Sequence, residues 1–91
     1  MTDCLFCKMV AGVIKPDIVY ETGQVLAFRD IRPQAKVHVL VIPKQHIPTL
    51  DDFPADQPEL AGQLLSAVQE VARREGLAAG GYRTVINCRG D

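Results

Sequence analysis

No run of apolar residues approaches the roughly 20 that a membrane-spanning helix needs, and the start Met1-Thr2-Asp3-Cys4 has neither the basic opening nor the apolar stretch of a secretory signal. Both absences point to a cytoplasmic protein. An excess of charge of one sign is missing too. Ten basic residues face eleven acidic ones, for a net charge of −1, so no field exists to steer the chain onto a membrane surface or a nucleic acid polymer. A single phosphate stays within reach, because a few placed donors hold one without global positive charge. Cysteine is scarce and odd in number, three in all, which argues against a disulfide framework and leaves metal or thiol roles. There is no P-loop, no dinucleotide glycine fingerprint and no Gly-x-Ser-x-Gly elbow. Repeats, low-complexity tracts and linkers are also lacking, so residues 1–91 read as a single domain.

What is present is an ordinary folded composition, 47% hydrophobic and 23% charged. A chain of this length buries only roughly 60–65% of its unfolded surface, so its core is thin. Leu5, Phe6, Met9, Val10 and Val13 recur near helical spacing until Gly12 and Pro16 end the pattern. Ile18-Val19-Tyr20 and Val25-Leu26-Ala27-Phe28 flank Glu21-Thr22-Gly23-Gln24, a hairpin with glycine in its turn. Residues 37–42 are almost unbroken apolar and predict a central strand buried on both faces. From Asp56 the period changes: Leu60, Leu64, Val68 and Val71 recur at three and four, predicting a long helix. Asp56 with Glu59 resembles a capping box, Pro58 suits the first turn, and Arg73-Arg74 before Gly76 suits the last. Gly80-Gly81 then turns the chain into a strand over 82–87. The class is α+β with a mainly antiparallel sheet, one short N-terminal helix and one long helix.

Cys4-Leu5-Phe6-Cys7 brings two thiols to one turn, the spacing of two corners of a zinc tetrahedron. The remaining ligands would come from His46, His38 or Cys88. A thioredoxin-like redox pair, a Cys4–Cys7 disulfide and two small buried hydrophobes are the competing readings. His38 sits in the apolar strand on the face of Leu40 and Ile42, where a satisfied core or supporting role competes with a catalytic one. Asp30, at a strand exit, accepts ribose hydroxyls or caps the loop before Pro33. Asn87 donates to a phosphate or satisfies turn backbone. Lys8, Lys15, Lys36 and Lys44 are dispersed and read singly as solvated surface.

Taken together, Cys4-x-x-Cys7-Lys8, the block Leu26-Ala27-Phe28-Arg29-Asp30-Ile31-Arg32-Pro33-Gln34-Ala35 and the block His38-Val39-Leu40-Val41-Ile42-Pro43-Lys44-Gln45-His46-Ile47 closely resemble the histidine triad (HIT) family of nucleotide hydrolases and transferases, in its Hint-like branch. Gly81-Tyr82-Arg83-Thr84-Val85-Ile86-Asn87 matches the strand before that family's active-site segment. The resemblance implies a homodimer whose subunits each bind a purine nucleoside monophosphate. It places Leu5, Phe6, Phe28 and Ile31 around the base, Asp30 on the ribose hydroxyls and Asn87 at the α-phosphate. His38 matches a histidine that supports the triad by hydrogen bonding. Cys4, Cys7 and His46 match three ligands of a structural zinc.

The resemblance also implies an activity: hydrolysis of a phosphoramidate or another AMP-linked substrate through a histidine nucleotidyl intermediate. In relatives the segment following a residue like Asp91 leads to His-x-His-x-His, whose middle histidine attacks phosphorus and which supplies the fourth zinc ligand. The only histidines among these 91 residues are His38 and His46, neither at that position. The expectation is therefore a HIT-like domain lacking its final catalytic strand and inactive by itself. It would be a portion of a longer protein, a truncation completed by a partner chain, or a catalytically inactive, zinc-stabilised nucleotide-binding or interaction module.

Overall fold

The computed structural model describes residues 4–30 and 36–86. Their order is α1 (Leu5–Val10), β1 (Ile18–Glu21), β2 (Val25–Arg29), β3 (Val39–Pro43) and α2 (Pro58–Arg74), with a 3-10 turn at Leu50–Asp52 ahead of α2. The strands form one antiparallel sheet in the order β1-β2-β3, so the expected α+β class is observed. Both helices end where glycine permits a left-handed residue. Gly12 has φ 82° and Gly76 φ 74°. Beyond each, paired bonds close the helix, Val13 N–H to Lys8 O with Gly12 N–H to Met9 O, and Leu77 N–H to Ala72 O with Gly76 N–H to Arg73 O, the Schellman pattern. The β1–β2 turn is held by the Thr22 hydroxyl, which accepts from the backbone of Gln24 and Val25 at 3.2 and 3.0 Å.

Side chains alternate across a strand, and here the alternation separates two faces. Leu26, Phe28 and Ile42 form one buried cluster with Leu40 and Met9 packed against it, so α1 lies over the even-numbered positions. On the odd-numbered face Arg29 bonds Glu75, the C-cap of α2, at 2.9 Å through Nη2. Arg74 of α2 stands 4.8 Å over the Tyr20 ring and donates to Val19 O at 3.2 Å. α2 contributes buried Leu60, Ala67, Val71 and Ala72 to that side. A register shift between Ile18 and Tyr20 acts as a bulge, leaving Tyr20 opposite Ala27 and aimed at α2.

Three expectations are corrected. The central buried strand is β2, whose Val25, Leu26, Ala27 and Phe28 are all buried, whereas β3 lies at the margin of the described sheet with only Ile42 buried. An apolar run reports cover on the two faces, while position in a sheet is set by ladder partners. The capping box is not made: α2 starts at Pro58, which fits the first helical position, so Gln57 is the N-cap and has no side-chain cap bond. Residues 82–86 form no strand and have no ladder partner among the described residues, with Val85 59% and Ile86 63% exposed. Branched side chains favour extended backbone, but a strand exists only through its neighbour's hydrogen bonds.

Ion pairs within α2 and between its end and the sheet carry a pH dependence. Hydrogen bonds from Arg73 and then Arg74 pull the Glu70 carboxyl from 4.5 down to about 2, and the Arg29 hydrogen bond holds Glu75 below its ordinary range. Depressed carboxylates stabilise the fold fully above their unfolded values near 4.5 and lose that contribution as the pH falls through their folded values. Glu75→Gln should therefore lower the urea midpoint at pH 7, and the gap from the parent should shrink as both are titrated below pH 4.5. A gap that persists undiminished to pH 2 would rule the ion pair out as its source.

Candidate functional site

Helix α1 is six residues long and buries none of them, too short to persist by itself. Its first turn is organised by sulfur. Cys4 is the N-cap, and its Sγ accepts the Cys7 backbone N–H at 3.3 Å. Across the cleft, Cys7 Sγ lies 3.0 Å from His46 Nδ1, in the loop that follows β3. The donor atoms of Cys4, Cys7 and His46 all fall within 4.8 Å of one another. A tetrahedral zinc with Zn–S near 2.3 Å and Zn–N near 2.0 Å sets its ligands about 3.5–3.8 Å apart, which small side-chain rotations reach from here. Two soft thiols and an imidazole suit zinc better than magnesium or calcium. The Cys7 backbone hydrogen bond, followed by that of its thiol, holds the Cys4 thiol below its ordinary value. The Cys4 hydrogen bond, followed by burial and the Cys4 charge, pushes Cys7 up.

The metal-ligand cluster opens on a cleft of about 360 Å³ that also involves Phe6, Val10 and Ile42. Phe6 is 40% exposed and its ring centroid is 6.0 Å from that of Phe28, tilted by 51°. Leu5 is 49% exposed, while Phe28 is buried and supports Phe6 from below. The even-numbered face therefore offers an apolar wall beneath α1. At the end of that face away from His46 stand two polar residues. β2 and β3 pair in the register Arg29↔Val39, and the ladder runs one step further, with Asp30 N–H bonded to His38 O at 3.0 Å. Asp30 and His38 are consequently opposite each other on one face, and His38 Nδ1 lies 3.4 Å from Asp30 Oδ2.

The structure brings Cys4, Cys7 and His46 together as expected for a metal and places His38 elsewhere, beside Asp30, so His38 is not a member of the metal-ligand cluster. Ile31, Asn87 and Cys88 lie outside the described residues. Two contacts went unforeseen. The Asp30–His38 pair was visible only in the register, since each residue extends its strand by one step from the Arg29↔Val39 pair. Lys44, a dispersed surface charge in the sequence, pairs with Glu21 at 2.7 Å and borders the cleft beside Cys4, Cys7 and His46.

Comparison with known proteins agrees with this fold. A family model described as the HIT domain matches residues 11–91. An uncharacterized HIT-like protein of Synechococcus elongatus is 52% identical over 85 residues, which are 93% of this chain and 74% of that protein. The purine nucleoside phosphoramidase of Escherichia coli K12 is 40% identical over 85 residues, 93% of this chain and 71% of the enzyme. Among solved structures, a HIT family hydrolase from Legionella pneumophila superposes with a TM-score of 0.91 at 47% identity, covering 96% of this chain and 78% of the other. Among the described residues no helix is long and apolar enough to cross a membrane.

Proposed function

This chain belongs to the HIT domain family, and from that premise we propose that it binds a purine nucleoside monophosphate under α1 and serves hydrolase chemistry on phosphoramidate or related AMP-linked substrates. The observation that carries the reading is the apolar wall of Phe6 over Phe28 ending at the Asp30–His38 pair, a surface apolar where a base would stack and polar where a ribose would follow. The similarity to a purine nucleoside phosphoramidase supports the purine and the class of bond. In this reading Leu5 and Phe6 meet the base with Phe28 and Ile31 behind, Asp30 accepts from the ribose hydroxyls and Asn87 meets the α-phosphate. Zinc is held by Cys4, Cys7 and His46, where it would tie α1 to the loop after β3. Two copies pair as a homodimer in this reading, as the family membership suggests.

Turnover requires a histidine nucleophile that attacks phosphorus. His38 and His46 are occupied with Asp30 and Cys7, and no His-x-His-x-His occurs among the 91 residues. These residues are therefore assigned binding and metal roles, and the 91-residue polypeptide assayed alone is expected to bind without turnover. A second reading, supported by the Cys4, Cys7 and His46 cluster, is a zinc-stabilised nucleotide-binding module without catalysis. Both readings share the pocket, so the pocket is tested first. Asp30→Ala should weaken AMP binding about tenfold or more by calorimetry, as loss of hydrogen bonds to a charged group does, with the urea midpoint little changed. Unaltered affinity would remove Asp30 from the ribose.

A further inference from the structure

The ladder sets His38 opposite Asp30, with Asp30 N–H on His38 O at 3.0 Å and His38 Nδ1 3.4 Å from Asp30 Oδ2. Both side chains are partly shielded, at 32% and 21% exposure, and both lie at the end of the even-numbered face. A short aspartate at a strand exit has two freely turning torsions, and an acceptor that must meet a cis-diol needs its carboxylate plane held. Only a donor on the same face and at the same level does that without blocking the approach from the apolar wall. His38 meets those conditions because its backbone is pinned to that of Asp30, so the imidazole has little choice of position. A hydrogen bond from Nδ1 to the carboxylate requires the proton on that nitrogen.

We propose that His38 is a positioning residue for ribose recognition: its Nδ1–H orients the Asp30 carboxylate toward the sugar hydroxyls and thereby sets the preference for ribonucleotides over 2′-deoxyribonucleotides. The proposal rests on the assignment of Asp30 to the ribose made above. It concerns specificity, since His38 acts through Asp30.

The test compares the affinities of AMP and 2′-deoxy-AMP in the full chain and in three His38 variants, with Asp30→Ala as reference. Asparagine presents an N–H close to the position of Nδ1, whereas glutamine presents one near Nε2 and alanine none. The ratio of the two affinities should fall about fivefold to tenfold in His38→Ala and His38→Gln, chiefly through weaker AMP binding, and should return to within about threefold of the parent in His38→Asn. A ratio unchanged in His38→Ala overturns the proposal, as does a ratio lost in His38→Asn along with the others, or a loss of both ligands equally, which would mark His38 as merely structural. Urea midpoints within the parent's range show that each variant is folded, and His38→Asn keeps the test decisive if His38→Ala is not. Should Asp30→Ala itself leave the ratio intact, the ribose assignment fails instead, an outcome distinct from failure of the His38 proposal.

Discussion

Replacing Cys7 by serine should cost the chain at least about a hundredfold in zinc affinity, since even groups that only support a metal ligand are worth 10–100-fold. Cys7 is the middle of its cluster. Its backbone N–H reaches Cys4 Sγ, and its own sulfur sits 3.0 Å from His46 Nδ1, so its loss separates the remaining thiol from the imidazole. A serine hydroxyl stays protonated near neutral pH and supplies no comparable anion. The same change should lower thermal stability, because a ligand that binds only the folded state adds about 2.7 kcal/mol when present at a hundred times its dissociation constant. A strong chelator added to the parent should reproduce the shift and leave the serine variant unmoved. Metal analysis after purification without chelator decides the matter: about one zinc per parent chain and almost none in the variant is the expected result, and full occupancy in the variant would dismiss the cluster as the site.

Leu26→Ala should be the most damaging substitution away from ligand and metal. Leu26 is 2% exposed at the centre of β2, packed with Phe28 and Ile42, and truncation of such a leucine costs about 2–5 kcal/mol. Domains of this size carry roughly 5–15 kcal/mol in total, and each kcal/mol is worth about 4–8 °C in Tm. A fall of about 10 °C or more in the melting temperature is expected, whereas Leu65→Ala, at a residue 62% exposed, should change it little. Equal effects at the two positions would mean that the even-numbered face is not the core of the monomer.

Much of this was legible in the residues themselves because local rules governed it. The Leu60, Leu64, Val68 and Val71 period located α2, Gly12 and Gly76 marked both helix ends, and Cys4-x-x-Cys7 announced a pair of sulfurs before any fold was known. Where the rules are non-local, reading failed. Asp56 with Glu59 satisfied a capping pattern, yet Pro58 set the helix start and left that pattern one position out of step. Val85 and Ile86 carry the side chains of a strand, but the hydrogen bonds that define one must come from another segment. The unbroken apolar run before Pro43 does not mark the sheet's centre, because hydrophobicity records cover and not order. The Asp30–His38 contact depends on which residue of β2 faces which residue of β3, a register that no composition discloses. The joining of His46 to Cys4 and Cys7 across 39 positions of sequence became expected only through family resemblance.

The alternation along β2 and β3 bears on how such a domain can diverge. Arg29 and Asp30 are neighbours in the chain, yet one turns toward α2 and the other lies on the opposite face; Val39 and His38 are divided in the same way. Substitutions at adjacent codons can therefore act on opposite sides of the sheet with little interference, because two pleats of one ribbon insulate the changes from each other. Leu26 and Phe28 are different in kind: both belong to the buried cluster of the even-numbered face, and a change at either disturbs the interior itself.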